Sequence, residues 1–337
     1  MHIIIRFLVV LLIISCSIFS QENINETQKV KVIDPFEEAV NNSKSYDPYI
    51  RRQAAEQFGV LRDQRALPYL KILLKDENPF VRQAALDSLG LLRAKEAIDD
   101  ILYVLINDKE PQVRQSAVVA FGYIGIVEDK VIDPLIDILR DEKEINALKY
   151  AVCNTLSILR STKAVSALVE LLNTQDINLR RSVVYTLGKI SHPDGIKALR
   201  DSIEKNLENE AVVSDIIKVL VEVSDVVSLE KFKVLYSTPS ISQSVKFYLA
   251  YALAKLEKDT KVINIIKSAL KSSQEEIKNL AIDAIRFIGD KESLDLLKEM
   301  QKKETSAYTK QLLEIAIKQL EQKYPPSQRQ QQKEKSK

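Results

Sequence analysis

Two histidines and two cysteines are the whole stock of imidazoles and thiols in this chain of 337 residues. His2 and Cys16 fall within its first twenty positions, leaving His192 and Cys153 for the body of the chain. Triad-type catalysis needs an imidazole held between a nucleophile and a carboxylate, and a zinc site needs three or four nitrogen, sulfur or oxygen ligands. His192 precedes Pro193 between two helical patterns, where a solvated side chain is expected, and no second imidazole stands near it in sequence. Cys153 lies on an apolar helical face and reads as a small buried hydrophobe. The seven glycines sit near helix ends and form neither a phosphate-cradling loop nor a dinucleotide fingerprint. Carboxylates are plentiful, but they follow solvent faces instead of converging. The expectation is a chain without catalytic residues, cofactor or metal, and therefore not an enzyme.

What remains that could do chemistry is charge. Lys and Arg number 49 against 47 Asp and Glu, a formal net charge of +2, so nothing global advertises a nucleic-acid or membrane-surface binder. The cations are not scattered, however. Arg51, Arg82, Arg114, Lys149, Arg180, Lys246, Lys278 and Lys310 each precede an apolar residue by seven positions: Phe58, Leu89, Phe121, Leu156, Leu187, Leu253, Ile285 and Ile317. With Val213 before Leu220, this column of nine holds eight cations, where 49 in 337 would place one or two by chance. The apolar anchors recur at spacings of 31 to 35 residues. Such a period is the mark of a repeat array.

Each period reads as two helices. Asp47-Pro48 and Asn78-Pro79 put a side-chain acceptor at the cap and proline at the first helical position, with Glu110-Pro111 a weaker version. Apolar residues then recur at helical spacing, as in Val81, Ala84, Ala85, Leu89 and Leu92. A break follows, often with an aspartate suited to capping the second helix (Asp63, Asp194, Asp225, Asp290), and that helix repeats the pattern in Leu67, Leu70, Leu73 and Leu74. Low glycine and absent tryptophan suit helices joined by short loops. Neither helix can bury its stripe alone, so the pairs must stack and share one continuous core. The expected fold is all-α, an α-solenoid of about eight helix pairs with terminal capping helices.

The string Asn78-Pro79-Phe80-Val81-Arg82-Gln83-Ala84-Ala85-Leu86-Asp87-Ser88-Leu89-Gly90 resembles the HEAT repeat, in the bacterial variety called PBS-lyase HEAT-like. Repeats one, two, three and five carry the motif; six to eight replace the glycine after the anchor with Val221, Ala254 and Arg286 and keep only the period. Tetratricopeptide repeats have a similar length, but their Trp/Gly/Tyr signature is missing. The resemblance implies that Arg51, Arg82, Arg114, Lys149 and Arg180 form a structural ladder. In it, Asp76, Asp108, Asp141 and Asp176 of the preceding loops would serve Arg82, Arg114, Lys149 and Arg180. A phosphate-binding stripe is the rival reading. The resemblance also extends, by repeat type alone, to enzymes that attach bilin chromophores to phycobiliproteins.

The ends are different material. Arg6 and the apolar run Phe7 to Ile14 make residues 1–20 a secretory signal, too short to span a bilayer. Ile13-Ile14-Ser15-Cys16 resembles a lipobox, with Cys16 as the lipidated residue; cleavage after Ser20 is the other route. Residues 21–45 form a linker containing a capping helix at 31–42, since Lys-Val-Ile-Asp-Pro at 31–35 recurs at 130–134 where the second helix of repeat three opens. The solenoid spans 46–323, and 324–337 is a polar tail expected to be disordered. The expected location is the periplasm or membrane of a diderm bacterium, with contact to the membrane only through a lipid. The second helices offer Asp99, Asp100, Tyr103, Asp133 and Asp137 in repeats two and three and Lys261, Lys267 and Lys271 in repeat seven, which read either as a solvated face of mixed charge or as a polarised groove for a protein or peptide and not for nucleic acid.

Overall fold

A computed structural model of the protein describes residues 34–325, and every regular element among them is helical. The leader with Cys16, residues 21–33 and residues 326–337 lie outside the described residues. The rest falls into two compact units that meet in sequence at Leu92 and Arg93.

The first unit contains α1 (Pro35–Asn42), α2 (Pro48–Leu61), α3 (Leu67–Leu73) and α4 (Pro79–Leu91). The second contains α5 (Ile98–Asn107), α6 (Pro111–Ile124), α7 (Asp129–Arg140), α8 (Asn146–Leu159) and α9 (Val165–Leu171). It continues with α10 (Ile177–Ile190), α11 (Pro193–Ser202), α12 (Glu210–Glu222), α13 (Leu229–Ser237) and α14 (Gln243–Leu256). It ends with α15 (Ile263–Ala269), α16 (Glu275–Ile288), α17 (Lys291–Lys303) and α18 (Ala307–Lys323). From α2 onward, even-numbered helices are the first members of the pairs and odd-numbered helices the second. In the second unit the even helices pack on one another in succession from α6 to α18, while α7, α9 and α11 line up in a second layer. This is the all-α solenoid the period implies.

Local chemistry starts and stops each helix. Asp47 and Asn78 accept from the N–H groups of Tyr49 and Phe80, with Pro48 and Pro79 in the first position; Glu110 makes no such bond. Each first helix from α2 to α14 is followed by a left-handed residue, among them Arg62, Arg160, Ser191 and Gly125 (φ 78°). At Arg62, Gly125 and Ser191 the N–H of this residue donates to the carbonyl of the anchor, Phe58, Phe121 or Leu187. Most second helices then open with a single 3-10 turn, as at Gln64–Ala66 and Thr260–Val262, where Asp63 and Asp259 supply the cap. Asp290 caps α17 in a capping box with Ser293. Asp194 does not cap: it sits inside α11, and its N–H donates to Nδ1 of His192 at 3.3 Å. The lone imidazole is a helix cap.

The two copies of Lys-Val-Ile-Asp-Pro are not equivalent. Asp34 caps α1 with Pro35 as its first residue, whereas Pro134 lies well inside α7. At α1 the consequence is a start, and Phe36 buries its ring against Phe58 at 5.6 Å, closing the end of the core.

Between successive first helices runs a tight seam. At three anchors the preceding residue sends its hydroxyl to a carbonyl of the preceding repeat: Ser88 to Ala55 (2.7 Å), Thr155 to Val118 (3.0 Å) and Thr186 to Cys153 (3.1 Å). A glycine after the preceding anchor, Gly59 or Gly122, faces Ser88 and Thr155 and leaves room for the approach. A Cβ on Gly59 would lie 2.5 Å from Ser88 Oγ, and one on Gly188 would lie 2.6 Å from Val219 Cγ1. Overpacking of this kind costs about 1–3 kcal/mol. Gly188→Ala is therefore expected to lower stability by about that amount, and Val219→Ala in the same chain to recover part of it. A double-mutant cycle from urea unfolding monitored by circular dichroism measures the coupling; strictly additive effects would rule out the clash.

Candidate functional site

The cation column is resolved into a bracket. Arg51 holds Asp76 with two parallel bonds, Nε to Oδ2 at 2.6 Å and Nη2 to Oδ1 at 2.8 Å, while Nη1 donates to the carbonyls of Ser45 and Tyr46. Arg82 donates to the carbonyls of Asp76 and Glu77. Arg180 donates backward to Thr174 O and forward to Asn206 Oδ1 at 2.6 Å. Arg114 pairs with Glu144 and Lys278 with Glu304, each at 2.8 Å, and Lys149 is buried. The acid thus belongs to the following loop, not the preceding one. Asp176, expected opposite Arg180, instead accepts from the N–H of Leu179, from Tyr150 Oη and from Asn146. The physical reason is direction. A loop turns its carbonyls toward the helix it precedes and its carboxylate back toward the previous repeat.

This bracket occupies the guanidinium. Four of the five N–H groups of Arg51 are engaged by its own chain, which ties its helix to the loops on either side.

On the second-helix face of the second unit, the sequence-expected acids are laced to cations. Asp99 contacts Lys130 at 3.1 Å, and Lys163 spans Asp133 at 2.6 Å and Asp129 at 3.0 Å. Asp137 is exposed, Asp100 is partly exposed, and Tyr103 and Ile106 stand at 68% and 64% exposure. The basic group divides. Lys261 and Lys271 are exposed. The side chain of Lys267 is only 12% exposed and braces α15 to α17 through Asp290 at 2.8 Å and Glu292 at 2.5 Å. Burial pulls Asp290 up, but bonds from Lys267 and Ser293 outweigh it and hold the carboxyl at about 2.

Sequence reading missed a second feature. In α14 the residues Phe247 to Ala254 are buried all round, with Phe247, Tyr248 and Tyr251 where α2 has Arg52, Gln53 and Glu56. An apolar stripe on every side of one helix was the available signal. Reactive groups elsewhere are sequestered: burial pushes the Cys153 thiol up to about 12, against donors from Ser182 and Thr186. Among the described residues no cluster of three His, Cys, Asp or Glu could hold a metal, and no helix is long and apolar enough to cross a membrane.

The model for HEAT repeats matches residues 33–120, 98–181 and 238–318, more than half of the chain. The chain belongs to the HEAT-repeat family. Within this HEAT array the unmatched stretch 182–237 holds Val213 in the cation column and Val221 in the glycine position, yet α10 to α13 pair and pack as their neighbours do. No curated protein matches the chain in sequence. Similar solved structures include importin beta, at 13% identity and a TM-score of 0.60, and yeast importin-beta (Kap95p), at 11% and 0.59. Each covers 85% of this chain, which spans 45% of theirs, and the likeness is one of fold alone. The complex of CpcE and CpcF of phycocyanin lyase from Nostoc is similar at 17% identity, with a TM-score of 0.43 over 72% of this chain and 97% of that one.

The last bracket of the HEAT array yields a pH prediction. Bonds from Lys278 and from the N–H groups of Ser306 and Thr305 hold Glu304 at about 2, below its ordinary 4.5. A depressed folded value means stabilisation that is full above about 4.5 and lost as pH falls toward about 2. Glu304→Gln is expected to weaken the array at neutral pH and to flatten its acid loss of stability, read by denaturant titration at several pH values. An unchanged acid limb would show that the bracket contributes nothing.

Proposed function

We propose that this chain is an exported, non-catalytic scaffold of a bacterial envelope that holds a protein or peptide against the second helices of its second unit. The supporting observation is Tyr103 and Ile106, two large apolar side chains left exposed beside Asp99, Asp133 and Asp137. The fold does not need them there. Exposed aromatics flanked by charge are the usual anchors of protein docking, with apolar contact supplying affinity and charge supplying orientation and rate. Lys130 and Lys163 lie against Asp99 and Asp133, so cations and carboxylates alternate across this surface. The apolar leader after Arg6 and the Cys16 motif support export with a lipid anchor.

Two measurements test this. A photocrosslinking residue at position 103 in cells should capture one partner. Tyr103→Ala combined with Asn at 99, 100, 133 and 137 should weaken its binding by roughly ten-fold or more while leaving the melting temperature nearly unchanged. Retention of full binding would reject this surface. Separately, Cys16→Ala should release the protein from the membrane fraction and abolish labelling by a palmitate analogue. An unlabelled native protein that fractionates as the variant does would reject the anchor.

A further inference from the structure

On the first-helix face of the second unit, ion pairs typically join neighbouring repeats: Arg181 with Asp215, Lys189 with Glu222, Lys255 with Asp283. One pair skips a repeat. Lys218 Nζ on α12 meets Glu276 Oε1 on α16 at 2.6 Å, 58 residues away, and α14 lies between the two helices. Lys218 Nζ also stands 5.7 Å from the centre of the Tyr248 ring. Tyr248, with the Phe247 ring 5.2 Å from its own, is buried beside this bridge, and both stand at positions that are polar in α2.

The bridge is built so that it can let go. Asp215 on the same helix contacts Lys218 at 2.8 Å and is itself held by Arg181 at 2.6 Å. Losing Glu276 therefore leaves Lys218 with a resident counter-charge. The side chain of Glu276 is 59% exposed and sits in the first turn of α16, where the helix end favours an anion. Opening strands no buried charge, so the large penalty for breaking a buried pair does not apply. The pair is partly buried, with Lys218 at 29% and Glu276 at 59% side-chain exposure, so salt weakens it through its open side, which suits a contact that biases two states more than one that holds the fold together.

We propose that Lys218–Glu276 is a releasable clasp that draws repeats six and eight together over the aromatic face of α14, so that ionic strength governs exposure of Tyr248 and the Phe247 ring packed on it. The test uses the full chain at about 0.02 M and about 1 M sodium chloride. Nitration of Tyr248 by tetranitromethane is quantified by peptide mapping against the fully exposed Tyr46, and amide exchange is followed across α14. Salt is expected to raise Tyr248 modification roughly three- to five-fold in the native protein. Glu276→Gln should reach the high value already at low salt and respond no further. Lys218→Met, which keeps the stem over the ring but not the charge, should match it, while Glu222→Gln at an ordinary neighbouring pair should behave as native. Salt-independent Tyr248 in the native chain, or a Glu276→Gln variant with native reactivity, overturns the clasp. The salt titration needs no variant, so a substitution that disturbs folding leaves the proposal open to refutation.

Discussion

Every helix here depends on burial it cannot supply for itself. A first helix of about fourteen residues presents an apolar stripe wider than one neighbour can cover, and it is completed only by the first helix of the next repeat and by a second helix. Fully burying a residue such as Phe58, Leu89, Phe121 or Leu156 stabilises by roughly 1.5–3 kcal/mol, which exceeds any propensity these short segments bring. The seam follows from this demand. Closer approach buries more, and glycine after the anchor with a hydroxyl facing it lets the backbones come near enough for the hydroxyl to bond a helical carbonyl.

The cation bracket serves the same end at the open side of each pair. Stacked repeats leave loop carbonyls and a first helical turn facing solvent, and a long side chain in that turn ties the loop behind to the loop ahead. Arginine does this with planar geometry at Arg51, and lysine does it as a point charge at Lys278. Where the column breaks, at Val213, the residue is simply buried, and a bidentate tie of Arg200 to Asp225 stands at the other end of α12.

With the core and the loops committed to holding the stack, function falls to what the helices show outward. The second-helix side of repeats two and three keeps Tyr103 and Ile106 exposed among paired charges, while the first-helix side of repeats five to eight pairs Arg181, Asp215, Lys218 and Glu276 and buries the aromatics of α14. Tyr103 stands uncovered and Tyr248 covered, although both lie on helices of the same family pattern.

Helix pairing, the anchor register and the capped starts were all legible from residue order, because each depends on periodicity and on side chains within a few positions of the backbone they serve. Asp47, Asn78 and the anchors could be placed that way. Partner choice could not. Asp176 turned toward Tyr150 instead of Arg180, and Lys267 became a brace instead of a basic landing point, because each settled on a group brought near by packing and not by sequence. The tie from Lys218 to Glu276 lies furthest from sequence reading. A contact 58 residues apart has no local signature, and it exists only because α14 sits beneath it.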